Sequence, residues 1–111
     1  MQWLFGCAHL DQSSIFYWGD YEDMIYKMYA QPGSVNAQIQ IQTLTRDIQQ
    51  AANVNKKLAP GVYAHLGMMH AMQGNLLDAL DALNMEKKLY PESSILIDGM
   101  IERAQQTPGS L

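Results

Sequence analysis

The amino-acid sequence predicts an all-α domain of about five helices, and three observations carry that prediction. Apolar residues recur three or four positions apart through most of the chain. Proline, glycine and small polar residues cut this pattern into segments of helical length, at 31–34, 53–60, 74–75 and 91–94. A hydrophobic fraction of 48% against a charged fraction of 16% supplies enough apolar surface to offset the entropy of ordering a core. At 111 residues the chain is long enough for one domain and too short for two.

The first helix is expected over 15–30, where Tyr21, Met24, Ile25, Met28 and Tyr29 mark one face. Pro32 and Gly33 stop it, and Ser34 is placed to cap the next helix. That helix, the longest, is expected over 34–55, with Val35, Ala37, Ile41, Leu44, Ile48, Ala51 and Ala52 at helical spacing and its glutamines on the wet face. A third helix begins at Pro60, where a missing N–H costs nothing, and runs over 61–72. A fourth covers 76–90 and a last one 94–106, the latter with a polar back suited to closing a core against water. The chain thus divides into a lead and tether at 1–14, a helical domain at 15–106 and a frayed tail at 107–111.

Between Pro60 and Ser93 the order of residues is specific. Aromatic Tyr63 comes first, then Leu66 with Gly67, a turn at Gly74, Ala79 where two helices touch, Leu83, and Pro91 as a stop. These are the packing positions of a tetratricopeptide-like helical hairpin, a unit that cannot bury its own apolar face and is usually used to hold something else. Glu86 stands where that repeat has a small residue, and is expected to loosen packing between the fourth and last helices. A fainter echo relates 19–25 to 74–80, each a turn followed by the first face of a helix. The offset of 55 residues excludes a contiguous array with the usual period of about 34.

Charge and composition exclude several functions. With seven Lys plus Arg against eleven Asp plus Glu, net charge −4, there is no basic field to neutralise phosphates, and no nucleic-acid partner is expected. No segment approaches the roughly 18 consecutive apolar residues of a membrane-spanning helix. His65, Met68, Met69, His70 and Met72 pair imidazole with thioether, a plausible copper(I) set, but methionine at these positions is more simply core filling. Asp20, Glu22 and Asp23 lie where negative charge favours a helix start. Ser13 and Ser14 near His9 lack the glycines of a nucleophile elbow. No catalytic constellation, cofactor, metal or small-molecule substrate is expected. The aromatic group Phe16, Tyr17, Trp18, Tyr21, Tyr26 and Tyr29 suits either the end of a core or a protein interface; Tyr17, Trp18, Tyr21 and Tyr26 are the candidate partner-binding residues.

Leu4-Phe5-Gly6-Cys7 reads as the end of a bacterial lipoprotein signal. The small residue before the cut admits the peptidase, and the Cys7 thiol takes a diacylglycerol by thioether linkage before its freed amine is acylated. Several acyl chains, at about 0.8 kcal/mol per buried methylene, make such attachment effectively permanent. Six residues precede Cys7, none of them Lys or Arg, so the signal as it stands lacks its basic start. Either the chain begins inside a longer precursor or Cys7 is an ordinary buried thiol.

Tyr17-Trp18-Gly19-Asp20-Tyr21-Glu22, Gln31-Pro32-Gly33-Ser34, Ala64-His65-Leu66-Gly67, Glu86-Lys87 and Tyr90-Pro91-Glu92-Ser93 together resemble the small bacterial lipoproteins catalogued as domain of unknown function 4810. The resemblance runs from Cys7 to about Ile101. It implies an outer-membrane lipoprotein with a tetratricopeptide-like fold, often encoded beside a CsgG-type secretion-pore lipoprotein, and implies no catalytic activity. Lipidation of Cys7 becomes the favoured reading, and Ala8 after it, rather than Asp, points to the outer membrane of a Gram-negative cell. The expected function is a non-catalytic, lipid-anchored periplasmic adaptor or scaffold of an envelope export or assembly system, acting with a protein partner such as a CsgG-type lipoprotein. The alternative is a soluble periplasmic peptide-binding or copper-binding helical module.

Overall fold

Residues 16–106 are described by the computed structural model, as five α-helices and two short strands. In chain order they are β1 (Phe16–Tyr17), α1 (Tyr21–Ala30), α2 (Ala37–Asn53), β2 (Lys57–Leu58), α3 (Val62–Met72), α4 (Leu76–Leu89), a 3-10 turn at Pro91–Ser93, and α5 (Ser94–Gln106). The all-α expectation holds in one helical body, with three helix starts displaced for identifiable reasons. Cys7, the tether and the tail lie outside the described residues.

The first correction is at 15–20, expected as helix. Gly19 has φ +51, a conformation that interrupts a helix, and the chain before it runs extended. There Phe16 and Tyr17 pair in parallel with Lys57 and Leu58, so their backbone groups bond across the fold rather than along a helix. The second is at Pro60, which lies before α3 rather than in its first turn. Gly61, at φ +96, supplies the reversal from which Val62 starts the helix. Capping of α2 also shifts by two residues: Asn36, not Ser34, accepts from the Ile39 N–H at 2.9 Å.

The α3–α4 hairpin is the centre of the packing. Gly74, at φ +81, reverses the chain, and the helices close until Gly67 lies directly on α4. A Cβ on Gly67 would fall 2.7 Å from Leu83 Cγ and 3.2 Å from the Ala79 carbonyl oxygen. Of the packing positions read from the sequence, Leu66, Gly67, Ala79 and Leu83 are buried, Tyr63 is half-buried against the core, Gly74 is the exposed turn, and Pro91 opens the 3-10 turn.

Two hydrophobic clusters share this hairpin. The larger joins Met24 of α1, Leu44 and Ala51 of α2, Leu58 and Ala59, Val62 and Leu66 of α3, and Ala82 of α4. The smaller joins Leu83 of α4 to Ile97 and Met100 of α5. The long helix α2 therefore occupies one side of the hairpin and α5 the other, as the apolar periodicity of both segments requires.

Glu86 corrects a further expectation. Its carboxylate turns toward the start of α3, where it accepts from the Gly61 N–H at 2.9 Å and the Ala64 N–H at 3.1 Å. Only 3% exposed, it caps the neighbouring helix from the side instead of loosening the contact with α5. So deep a carboxyl group is tolerated because two helix-start donors and the α3 dipole replace its lost water. Tyr90, four residues on, donates its buried hydroxyl to the Leu58 carbonyl at 2.6 Å and pins β2 to the end of α4.

Two variants measure these contacts in urea melts. Gly67→Ala gains about 1 kcal/mol of helix propensity, but overpacking against the fully buried Leu83 costs up to about 3 kcal/mol; a net loss is expected, and a gain would mean that the helices are free to separate. Glu86→Ala strands two N–H groups and is expected to cost about 2–3 kcal/mol, with Glu86→Gln losing less because one acceptor remains.

Candidate functional site

The aromatic amino-terminal arm is built by four constraints acting on six residues. β1 is held by β2. The Trp18 carbonyl accepts from the Tyr21 N–H at 2.9 Å, closing the turn into α1. The Asp20 N–H donates to Asp47 of α2 at 3.2 Å, and Gly19 packs so tightly there that a Cβ would lie 2.5 Å from the Asp47 carboxylate. Across the surface Arg46 pairs with Asp20 at 2.9 Å, an exposed bridge worth no more than about 1 kcal/mol.

Asp47 is buried, and that burial pushes its carboxyl above the usual carboxylate range. The Asp20 N–H opposes the shift, the Asp20 carboxylate adds to it, and Arg46 opposes it. Positioned before the first turn of α1, the carboxylate also meets the positive end of that helix.

The fourth constraint is a polar chain through the core. The amide nitrogen of Gln40 donates to the Val35 carbonyl at 2.9 Å, which leaves its oxygen facing His65 Nε2 at 2.7 Å. Nε2 must then carry the proton, and Nδ1 accepts from the Tyr21 hydroxyl at 3.1 Å. One neutral imidazole on α3 thus ties α1 to α2. Burial lowers the His65 pKa from its ordinary 6.5. Burial, and then the Glu86 charge, raise that of Tyr21. Gln40 is the exception to the wet glutamine face, and sequence periodicity had no means of marking it.

The candidate aromatics divide on this frame. Phe16, Tyr17, Trp18 and Tyr21 are half-buried and pack on the larger core, with Trp18 6.4 Å from both Phe16 and Tyr21 in edge or tilted contact. Tyr26 and Tyr29 are instead 70% and 85% exposed on the outer side of α1. Tyr29 lines, with Ile25 and Met28, a shallow apolar hollow of about 410 Å³. The arm is therefore a wall of the core whose outer side continues into exposed tyrosines. A second hollow, about 460 Å³ between α1 and α2, has its charges already paired as Lys27 with Asp23 and Arg46 with Asp20.

The His/Met set is divided between different environments. Both ring nitrogens of His65 are engaged, Met69 is buried and Met72 exposed. Among the described residues no group of three or more His, Cys, Asp or Glu is placed to hold a metal ion, and no helix is long and apolar enough to cross a membrane.

A family profile described as domain of unknown function (DUF4810) matches residues 15–100, from the aromatic arm into α5. The chain belongs to this family. No curated protein and no solved structure matches it. Within this DUF4810 chain the matched stretch takes in the arm, the polar chain through His65 and the whole hairpin, so the elements that build the candidate face all fall inside the family's span.

The lowered His65 pKa gives stability a defined pH dependence. Above 6.5 both folded and unfolded chains hold His65 neutral and its contribution is complete; as pH falls below 6.5 the unfolded chain takes the proton first and that contribution is lost. Urea midpoints are expected to decline on acidification through this range and to lose that decline in His65→Gln. Asp47 acts with the opposite sign at lower pH, since its raised pKa favours the folded chain as the carboxyl is protonated.

Proposed function

We propose that this chain is a non-catalytic, lipid-anchored adaptor of the periplasm, held to the outer membrane through Cys7 and docking a protein partner through its aromatic amino-terminal face. The helical hairpins are read as tetratricopeptide-like, which suits a scaffold more than an enzyme. The expected partner is another envelope lipoprotein of an export or assembly system, of the CsgG type that the family resemblance implies.

One observation carries this reading: exposed Tyr26 and Tyr29 continue a rigid aromatic arm that strand pairing, Asp47 and His65 hold in place. Large aromatics on a preorganised surface lose little entropy on binding and are favoured as interface anchors. The arm also lies directly after the tether that would carry the lipid, so a partner in the same membrane would meet this end of the molecule.

Affinity capture of the full precursor, tagged at its carboxyl terminus and expressed in a Gram-negative cell, tests the docking face. Tyr26→Ser with Tyr29→Ser is expected to cut partner recovery about tenfold or more, the loss of one or two hot-spot side chains, with the melting temperature unchanged. Recovery equal to that of the unaltered chain removes this face. Mass spectrometry of the mature protein tests the anchor separately: Cys7 is expected to carry diacylglyceryl and amide-linked acyl groups, and an unmodified thiol removes the lipoprotein reading.

A further inference from the structure

Two helices carry outer strips that no described element covers, α1 near the start of the fold and α5 at its end. We propose that these strips bind each other between molecules: α1 of one copy receives, antiparallel, α5 of a second copy of this chain in a head-to-tail contact. The inference shares the α1 face with the adaptor reading and goes beyond it.

An internal comparison shows what α1 lacks. The echo that relates 19–25 to 74–80 aligns α1 with α4, and the same offset of 55 places Met28 on Leu83. Leu83 is fully buried, packed with Ile97 and Met100 of α5. Met28 instead lines, with Ile25 and Tyr29, the open apolar hollow of about 410 Å³. Helix α2 joins Met24 in the main core but leaves this side of α1 open. The missing cover is a helix in the place that α5 takes on α4.

The outer strip of α5 fits that place. Ile95, Gly99 and Arg103 follow one another at four-residue steps, with Leu96 beside them. Ile95 and Leu96 are 90% and 64% exposed, although α5 already buries Ile97, Met100 and Ala104 on its other side. Gly99 lies inside the helix, which glycine weakens. Its own chain gives no packing reason for it: within 4 Å a Cβ there would meet only Arg103 Nη1, at 3.4 Å. A bulky side chain from another molecule can lie against that bare backbone.

Charge and spacing fix the direction. On α1, Glu22, Tyr26 and Tyr29 share one line beside Ile25, with the acid at the amino end and the tyrosines at the carboxyl end. On α5 the order is reversed, the apolar pair first and Arg103 last. An antiparallel contact brings the tyrosines onto Ile95, Leu96 and Gly99 while Glu22 meets Arg103. The steps from Glu22 to Tyr29 and from Leu96 to Arg103 are the same, about 10 Å along a helix. Both charged side chains are exposed and, among the described residues, neither has an ion pair or hydrogen bond, whereas Lys27, Arg46 and Lys87 are paired within the chain. Glu102 points about 100° round the helix from Arg103 and stands at the edge of the strip. Such a contact is heterologous, so the first copy keeps its α1 open to meet the envelope partner.

Sedimentation velocity of the full chain, with Cys7 kept as the free thiol by reductant, tests the proposal from about 10 μM to 1 mM, the range suited to small, weak contacts. Association that grows with concentration is expected. Ile95→Ser with Leu96→Ser should weaken it roughly tenfold or more. Gly99→Gln should weaken it while raising the melting temperature, since the helix gains a better former. Glu22→Arg and Arg103→Glu should each weaken it about fivefold, and both changes in one chain should restore it. A chain that stays monomeric throughout, association indifferent to Ile95→Ser with Leu96→Ser or to Gly99→Gln, or a double reversal no stronger than the single ones would each overturn the proposal. If self-association is found and no envelope partner is captured, the adaptor reading fails alone; if a partner is captured by a chain that stays monomeric, the head-to-tail contact fails alone.

Discussion

The contact on which the rest of the structure depends is the buried carboxylate of Glu86 under the first turn of α3. It joins two helices by a route that neither apolar periodicity nor a conventional cap provides, reaching from the middle of α4 to N–H groups at the start of the neighbouring helix. Residues on or beside that turn then face in several useful directions. Val62 and Leu66 enter the main core, Tyr63 lines a cleft beside β2, and His65 reaches across to α1 and α2. Tyr63 and His65 thus lead from one helix start toward two different parts of the molecule. Leaving a buried charge there without its two donors would cost far more than the small residue that the hairpin pattern has at this position.

The polar chain through His65 has a different role from the hydrophobic clusters. Apolar packing brings α1, α2 and α3 together but is tolerant of small rotations and slides. Hydrogen bonds are not: the proton on Nε2, the orientation of the Gln40 amide and the hydroxyl of Tyr21 are mutually consistent in one arrangement only. Together with Asp47 at the Asp20 N–H, this fixes the rotation of α1 and so the direction in which Tyr26 and Tyr29 project. The repeated turn motif is visible here too. Gly19 and Gly74 both adopt positive φ two residues before a helix, the structural counterpart of the echo between 19–25 and 74–80.

Much of the fold was legible because helix periodicity and turn residues are local signals. The later three helices begin or end within a residue or two of the expected positions, and Gly67 meets Ala79 and Leu83 as their spacing required. The misreadings have a common physical origin. Phe16 and Tyr17 are extended because of Lys57 and Leu58, some forty residues away, and Gln40 is buried because His65 needs an acceptor. No window of adjacent residues contains those facts. The departure at Glu86 was visible as an unusual residue, but its consequence had the wrong sign, since the sequence does not say which helix a side chain on α4 will face.

By itself the sequence determined the all-α class, the helical hairpin, its glycine turns and the family to which the chain belongs, because each of these depends on residue spacing and backbone preference. Only the tertiary structure decided which aromatics form wall and which form surface, since that depends on the rotation of α1 set by Asp47 and His65. It also decided that Lys56 and Lys57 stand beside Tyr63, Met85 and Leu89 at the junction of α2, β2 and α4. Surface chemistry of this kind arises where separate elements meet, and chain order alone does not fix such meetings.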